Sequence, residues 1–146
     1  MKYRASDTLI KKLKEFEGLR LEAYKPTKAE RWWTIGYGHS AADVRQGMRI
    51  TEEKAEEQLK RDLYFVEKFV NDIPKVRTQG QFDSLVSFAY NVGVGNLKRS
   101  TLLKKIMHDA PTAEIQREFM KWVYGGGKQL AGLVKRRMWE AERYAL

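Results

Sequence analysis

Cysteine is absent from the chain, which excludes both disulfide bonds and thiolate metal ligands. Histidine is scarce: only His39 and His108 are present. The sequence therefore supports no metal site, and no metal or other cofactor is predicted. No apolar run approaches the length of a membrane span. The N-terminal segment has basic residues but no continuous apolar stretch, so no signal peptide is expected.

Positive charge, by contrast, is abundant. The 28 Lys and Arg residues outnumber the 19 Asp and Glu residues, which gives a net charge of +9. Such a surface concentrates near polyanions, including nucleic acid, an anionic membrane face or an acidic cell-wall polymer. The basic residues are dispersed, however, and most fall on the polar faces of predicted helices, a pattern typical of solvated surface. Because no nucleic-acid-binding signature is present either, nucleic acid is not expected as a partner.

The length and composition predict one folded globular domain, since 146 residues with 42% hydrophobic and 32% charged residues can bury a core. The first helix should begin near Ser6 or Asp7 and run to Glu17, with Gly18 as a left-handed stop. Alternating side chains then predict a β hairpin. Its expected parts are a first strand from Leu19, a polar turn over 25–31, a second strand over 32–38 and a short third strand towards Met48–Ile50.

The remainder of the chain is predicted to be helical. A long helix should be capped by Thr51 and end before Pro74, and the next should run through Phe82–Ala89 and be closed by the glycines of 91–96. Ser100 should cap a helix over 100–107, and Thr112 should cap one over 112–123. After a break at Gly125–Gly127, a last helix is expected from about 133 to 144. This order predicts an α+β fold in a single domain over 1–146. A hairpin lobe of about 18–50 is expected beside a helical lobe of about 51–146 plus the N-terminal helix.

Glu17 is the first candidate catalytic residue because it stands in the last turn of a helix. The negative end of the helix dipole and partial burial both disfavour an ionised carboxylate. A carboxyl group that keeps its proton near neutral pH is what a glycosidase needs as its general acid. A surface glutamate before a helix-ending glycine is the ordinary alternative.

The aromatic run after Glu17 favours a sugar-binding site. The rings of Tyr24 and Trp33 suit the apolar faces of sugars, although packing within the hairpin explains some of the aromatic residues equally well. Thr34 is able to hold a water molecule on the strand facing Glu17. For His39, we expect a structural hydrogen bond that ties the hairpin to the helical part.

Three segments resemble the phage-type lysozymes, the muramidase endolysins. They are EGLRLEAY followed by TIGYGH (17–39), SFAYNVGVGNLKRSTLLKK (87–105) and the region from Trp122 through GGGKQLAGLVKRRMWEAE. The resemblance implies a lysozyme-like fold with a cleft between two lobes. It also implies hydrolysis of the β-1,4 bond between N-acetylmuramic acid and N-acetylglucosamine in peptidoglycan. It assigns catalytic roles to Glu17 and Thr34 and places Gly38 and His39 in the cleft.

One catalytic position departs from the family pattern. The family has an aspartate nine positions after its glutamate and six before its threonine, but these positions hold Pro26 and Lys28. The hairpin has therefore gained two residues, and three interpretations follow. Glu30 in the enlarged turn supplies the second carboxylate, Glu17 works weakly with only a water held by Thr34, or the site is disabled and the fold binds wall glycans or a protein.

The resemblance also implies partners and location. Peptidoglycan is the expected partner, with no stable membrane association and a monomeric chain. The protein is expected in the host cytoplasm until the membrane is permeabilised, and afterwards at the cell wall. A membrane-surface role remains a less favoured alternative for the basic terminal segment 133–146, because Trp139 and Tyr144 suit an interface.

Overall fold

The computed structural model describes residues 1–146 and contains seven helices with two small antiparallel sheets. The α+β class predicted from the sequence is therefore confirmed. In chain order the elements are α1 (Asp7–Glu17), β1 (Arg20–Tyr24), β2 (Thr34–Gly36), β3 (His39–Ser40), α2 (Glu52–Asn71), α3 (Gln79–Val92), α4 (Val94–Arg99), α5 (Thr101–Met107), α6 (Thr112–Phe119), β4 (Tyr124–Gly125), β5 (Lys128–Gln129) and α7 (Ala131–Tyr144).

The chain divides into two compact units. The sheet unit comprises residues 10–65, and the helical unit comprises residues 1–9 and 66–146. None of the helices has the combined length and apolar character that crossing a membrane requires.

Helix α1 has the predicted bounds because both of its ends carry local signals. The Ser6 hydroxyl accepts a hydrogen bond from the Leu9 amide at 3.0 Å and caps the start. Gly18 adopts φ +69°, and its amide donates to the Lys14 carbonyl oxygen at 3.0 Å. A left-handed glycine of this kind satisfies the last carbonyls and ends the helix.

The three-stranded sheet has the order β1-β2-β3 with antiparallel pairing throughout. Arg20 pairs with Gly36 and Tyr24 pairs with Thr34, so β1 has a register irregularity between its two ends. Ala23, Ile35 and Val44 form the buried core beneath the sheet. The strand expected towards Met48–Ile50 is present only as a bridge between Arg49 and Glu22 on β1, with the Ala23 amide donating to the Met48 carbonyl oxygen and the Ile50 amide donating to the Leu21 carbonyl oxygen, each at 2.9 Å. The third strand of the sheet is instead β3, His39–Ser40.

In the helical unit, the glycine-rich segments hold structure that the sequence did not predict. Helix α4 follows Gly93 directly instead of a loop. Helix α6 ends at Phe119 rather than Val123. The break at Gly125–Gly127 is a β4–β5 hairpin in which Gly126 and Gly127 adopt φ +57° and +79°. Two consecutive positive φ values fit a tight hairpin turn, which glycine tolerates best.

The basic cluster of α7 is also different from the prediction, because Arg136 and Arg137 are buried rather than solvated. Arg137 Nε lies 3.0 Å from Glu140 Oε1, and Arg136 Nη2 donates to the Ser87 carbonyl oxygen at 2.9 Å. The Ser87 hydroxyl donates to Glu140 Oε2 at 2.6 Å. Arg136, Arg137 and Tyr144 therefore lie inside the protein and do not contribute to its exposed surface.

Candidate active site

Glu17 is the last residue of α1, and its side chain is half-buried. Strand pairing brings the β2–β3 turn back to this helix end, because Gly36 lies opposite Arg20, which follows closely after Gly18. The turn that connects the two strands is formed by Tyr37 and Gly38. The end of α1 and the β2–β3 turn therefore lie next to each other within the sheet unit.

Gly38 contacts the Glu17 carboxyl group directly. A Cβ atom built on Gly38 would lie 2.5 Å from Glu17 Oε1 and 3.1 Å from its Cδ, and the backbone of Gly38 has φ +79°. The backbone angle favours glycine at this position, and an added Cβ would displace the Glu17 carboxyl group. Gly38, which the resemblance places in the cleft, therefore lies against the carboxyl group of the candidate acid.

Thr34 begins β2 and is buried. Its cross-strand partners are Tyr24 on β1 and Ser40 on β3. The central strand of the sheet fixes its backbone, and this is the rigid placement that a residue holding a water molecule requires.

His39 is held between two carboxylates. Its Nδ1 lies 2.7 Å from Asp62 Oδ2 on α2, and its Nε2 lies 3.0 Å from Asp43 Oδ1. The hydrogen bond to Asp62, followed by the charge of Asp62 and the contact with Asp43, raises the pKa of His39 above its usual 6.5 against an opposing effect of burial. The hydrogen bond expected from the sequence is thus present, between β3 and α2.

The two aromatic residues proposed for sugar binding, Trp33 and Tyr24, are both half-buried. Trp33 is half-buried and packs against the core of Ala23, Ile35 and Val44. Tyr24 is half-buried, with the Arg20 guanidinium 4.4 Å from its ring centroid. Packing explains much of the position of Trp33, as the alternative interpretation held.

Glu30 lies in the β1–β2 connection and is exposed. Its amide donates to the Thr27 carbonyl oxygen at 3.2 Å, which closes a turn within the enlarged loop. Pro26 and Lys28, which occupy the positions of the family aspartate under the two possible alignments, are exposed in the same loop.

Several residues that support the site were not singled out from the sequence. Asp62 belongs to the long helix α2, and nothing in its local sequence distinguishes it from a surface acid. Asp43 stands four positions after His39, which was the one available signal. Lys14 forms an ion pair with Glu56 and lies 5.5 Å from the Tyr37 ring centroid. The hydrogen bond between Lys14 and Glu56 raises the pKa of Lys14 and lowers that of Glu56.

Comparison with known proteins identifies the family of the chain. A sequence model of the family described as phage lysozyme matches residues 14–140, which include Glu17, the sheet and most of the helical unit. The chain belongs to the phage lysozyme family. The resemblance noted in the sequence is therefore confirmed.

Individual relatives support the same assignment. The endolysin of Bacillus phage B103 is 49% identical over 138 residues, which cover 92% of this chain and 50% of that protein. The chain thus spans about half the length of the curated Bacillus phage relatives that it matches.

Among solved structures, the endolysin of Escherichia coli O157:H7 phage FAHEc1 has a TM-score of 0.84 at 35% identity, covering 99% of this chain and 94% of its own. The muramidase domain of SpmX from Asticaccaulis excentricus has a TM-score of 0.87 at 31% identity and covers 99% of both chains. The lysozyme-like fold predicted from the resemblance is confirmed.

Proposed function

We propose that the chain is an endolysin-type muramidase that hydrolyses the β-1,4 bond between N-acetylmuramic acid and N-acetylglucosamine in bacterial peptidoglycan. The observation that carries the proposal is the position of Glu17, whose half-buried carboxyl group lies against Gly38 at the end of α1. Membership of the phage lysozyme family and relatives named as endolysins and as a muramidase domain support it.

In this proposal Glu17 is the general acid. It donates its proton to the glycosidic oxygen as the bond from that oxygen to the sugar carbon breaks, so that the leaving sugar departs as a neutral alcohol. The contact with Gly38 limits the positions open to the carboxyl group. A fixed acid raises the rate because little orientation remains to be achieved in the transition state.

Thr34 and Glu30 complete the proposed reaction. Thr34 holds the water whose oxygen adds to the sugar carbon, and Glu30 accepts the proton that this water releases. Its position in the loop enlarged by two residues, and one extra methylene relative to aspartate, support Glu30 as the replacement for the absent family carboxylate. For substrate binding we propose Gly38, His39, Tyr24 and Trp33.

The cell wall is the proposed site of action, reached from the host cytoplasm once the membrane has been permeabilised. The chain is proposed to act there as a monomer on peptidoglycan, without a cofactor.

Clearance of a turbid wall suspension tests these roles. The wild type is compared with Glu17→Gln, Glu30→Gln and Pro26→Asp, and thermal melts verify that each variant is folded. We predict that Glu17→Gln and Glu30→Gln each lose wall clearance. Loss of clearance in Glu17→Gln alone would assign the reaction to Glu17 and the water held by Thr34. If all four proteins bind the wall and none clears it, the muramidase proposal is wrong and the chain is a wall-binding domain. Faster clearance by Pro26→Asp than by the wild type would show that the position of the family aspartate is still directed at the active site.

A further inference from the structure

The tip of the β1–β2 hairpin, residues 24–33, concentrates positive charge beside aromatic rings. It contains three cations, Lys25, Lys28 and Arg31, and one acid, Glu30. Arg20 extends this group, because its guanidinium lies over the ring of Tyr24 at the start of the tip. We call these four cations and their rings the cationic tip.

Three cation–aromatic pairs organise the cationic tip. The Arg20 guanidinium carbon lies 4.4 Å from the ring centroid of Tyr24, and the Arg31 guanidinium carbon lies 4.5 Å from that of Trp32. Lys25 Nζ lies 5.5 Å from the ring centroid of Trp33. Each distance is within the range at which a ring face attracts a cation.

Some cations elsewhere in the sheet unit form ion pairs with carboxylates. On the helices, Lys12 pairs with Glu15 at 3.3 Å, and Lys54 pairs with Glu57 at 3.7 Å. The four cations of the tip, Arg20, Lys25, Lys28 and Arg31, have no carboxylate within ion-pair distance. A ring face orients a cation without cancelling its charge, so the tip keeps a positive field.

The two arginines that lie over aromatic rings are well suited to binding phosphate. A guanidinium that lies on a ring keeps its N–H donors directed outward in its own plane, where they fit two phosphate oxygens at once. The ring contact also fixes the side chain in advance, which reduces the entropy lost on binding.

The same geometry disfavours nucleic acid. A nucleobase binds single-strand sites by stacking on aromatic faces, but a cation already covers one face of Tyr24, Trp32 and Trp33. A phosphodiester polymer without planar bases binds through its phosphate groups, and these require only the cations. Pairing between Tyr24 and Thr34 places the tip directly beside the candidate site, so a bound polymer would raise the local concentration of wall glycan there.

We propose that the cationic tip anchors the protein to a wall polymer of repeating phosphodiesters. This inference relies on the wall as the site of action, but it does not depend on hydrolysis. Binding therefore tests it even if the muramidase proposal fails.

The test measures sedimentation of the full chain with purified walls, either intact or stripped of phosphodiester-linked polymer by hydrofluoric acid. We expect the wild type to bind intact walls at least about tenfold more tightly than stripped walls, a difference of about 1.4 kcal/mol, and Arg20→Gln/Arg31→Gln to lose this advantage. The matched control is Arg45→Gln/Arg61→Gln, because both arginines are exposed in the same unit and the change in charge is equal. Equal losses in the two double variants, or equal binding to both walls, would overturn the proposal.

Soluble polymers identify the chemistry that the tip recognises. Poly(glycerol phosphate), polygalacturonate and oligo(dT) of matched total charge are titrated at one salt concentration, and we expect the glycerol phosphate polymer to bind most tightly. Equal or tighter binding of the carboxylate polymer or of the oligonucleotide would contradict the assignment. Arg20→Lys/Arg31→Lys keeps the charge but loses the planar donors, so wild-type affinity in this variant would also contradict it.

Discussion

The carboxyl group of Glu17 rests on the backbone of Gly38, so closely that one added methyl group would lie 2.5 Å from Oε1. Helix α1 and the β2–β3 turn are thereby linked at the one position where the proposed acid is needed. The contact makes the size of residue 38 a determinant of where the acid points.

Gly38→Ala should therefore displace the Glu17 carboxyl group. We expect wall hydrolysis to fall by about 10- to 100-fold, since a displacement of the order of 1 Å in a catalytic group has an effect of this size. Initial rates of turbidity loss measure it. Gly47→Ala is the matched control, because Gly47 has φ +83° but no atom within 4 Å of the added Cβ. Equal activity in the two variants would show that backbone strain, and not the contact with Glu17, controls the rate.

The His39–Asp62 contact predicts a pH-dependent contribution to stability. The pKa of His39 is raised above 6.5, chiefly by the hydrogen bond to Asp62. The stabilisation is therefore complete below about pH 6.5 and is lost as the pH rises through the higher native pKa. In mildly acidic buffer, we expect the free energy of unfolding of the wild type to exceed that of His39→Asn by at most about 1 kcal/mol, because the contact is partly exposed. In alkaline buffer this difference should be smaller.

Urea unfolding at a series of pH values measures this difference. His108→Asn is the control, because His108 is exposed and bonds the Lys104 carbonyl oxygen at 2.7 Å rather than a carboxylate. A difference that grows with rising pH for His39→Asn would contradict the expected sign.

The buried charges of α7 predict a large effect on stability. Arg137→Met should lower the free energy of unfolding by about 1–3 kcal/mol, because it removes the partner of Glu140 at 3.0 Å while Arg136 at 3.4 Å and the Ser87 hydroxyl at 2.6 Å remain. Lys135→Met, an exposed neighbour on the same helix, should change it by less than about 0.5 kcal/mol. The midpoints of urea unfolding compare the two variants, and similar values would indicate that the buried ion pair contributes little.

The fold was predictable where the deciding signals are local. Ser6 and Gly18 flank α1 and define its ends through hydrogen bonds to residues of the helix itself. Ser100 caps α5 in the same way, because its hydroxyl accepts a hydrogen bond from the Leu103 amide at 3.0 Å. In contrast, Gly126 and Gly127 signalled only a break. Whether two glycines form a loop or a hairpin turn depends on pairing between the flanking residues, Tyr124 with Gln129 and Gly125 with Lys128.

The site was predictable only in part, for a similar reason. The motif around Glu17 and the TIGYGH run identified Gly38 and His39, but the partners of these residues lie elsewhere in the chain. Asp62 is 23 positions from His39, and its role depends on how α2 packs on the sheet. Arg137 was taken for a surface charge because its partners, Asn91 and Glu140, lie on two different helices.

Analysis of the sugar ends produced from purified peptidoglycan tests the central proposal most directly. The wild type should generate new reducing ends of N-acetylmuramic acid, visible by borohydride reduction and mass spectrometry, and folded Glu17→Gln should generate none above background. Reducing N-acetylglucosamine ends, or N-acetylmuramic acid ends formed equally by both proteins, would contradict the assignment of Glu17 as the acid of a muramidase.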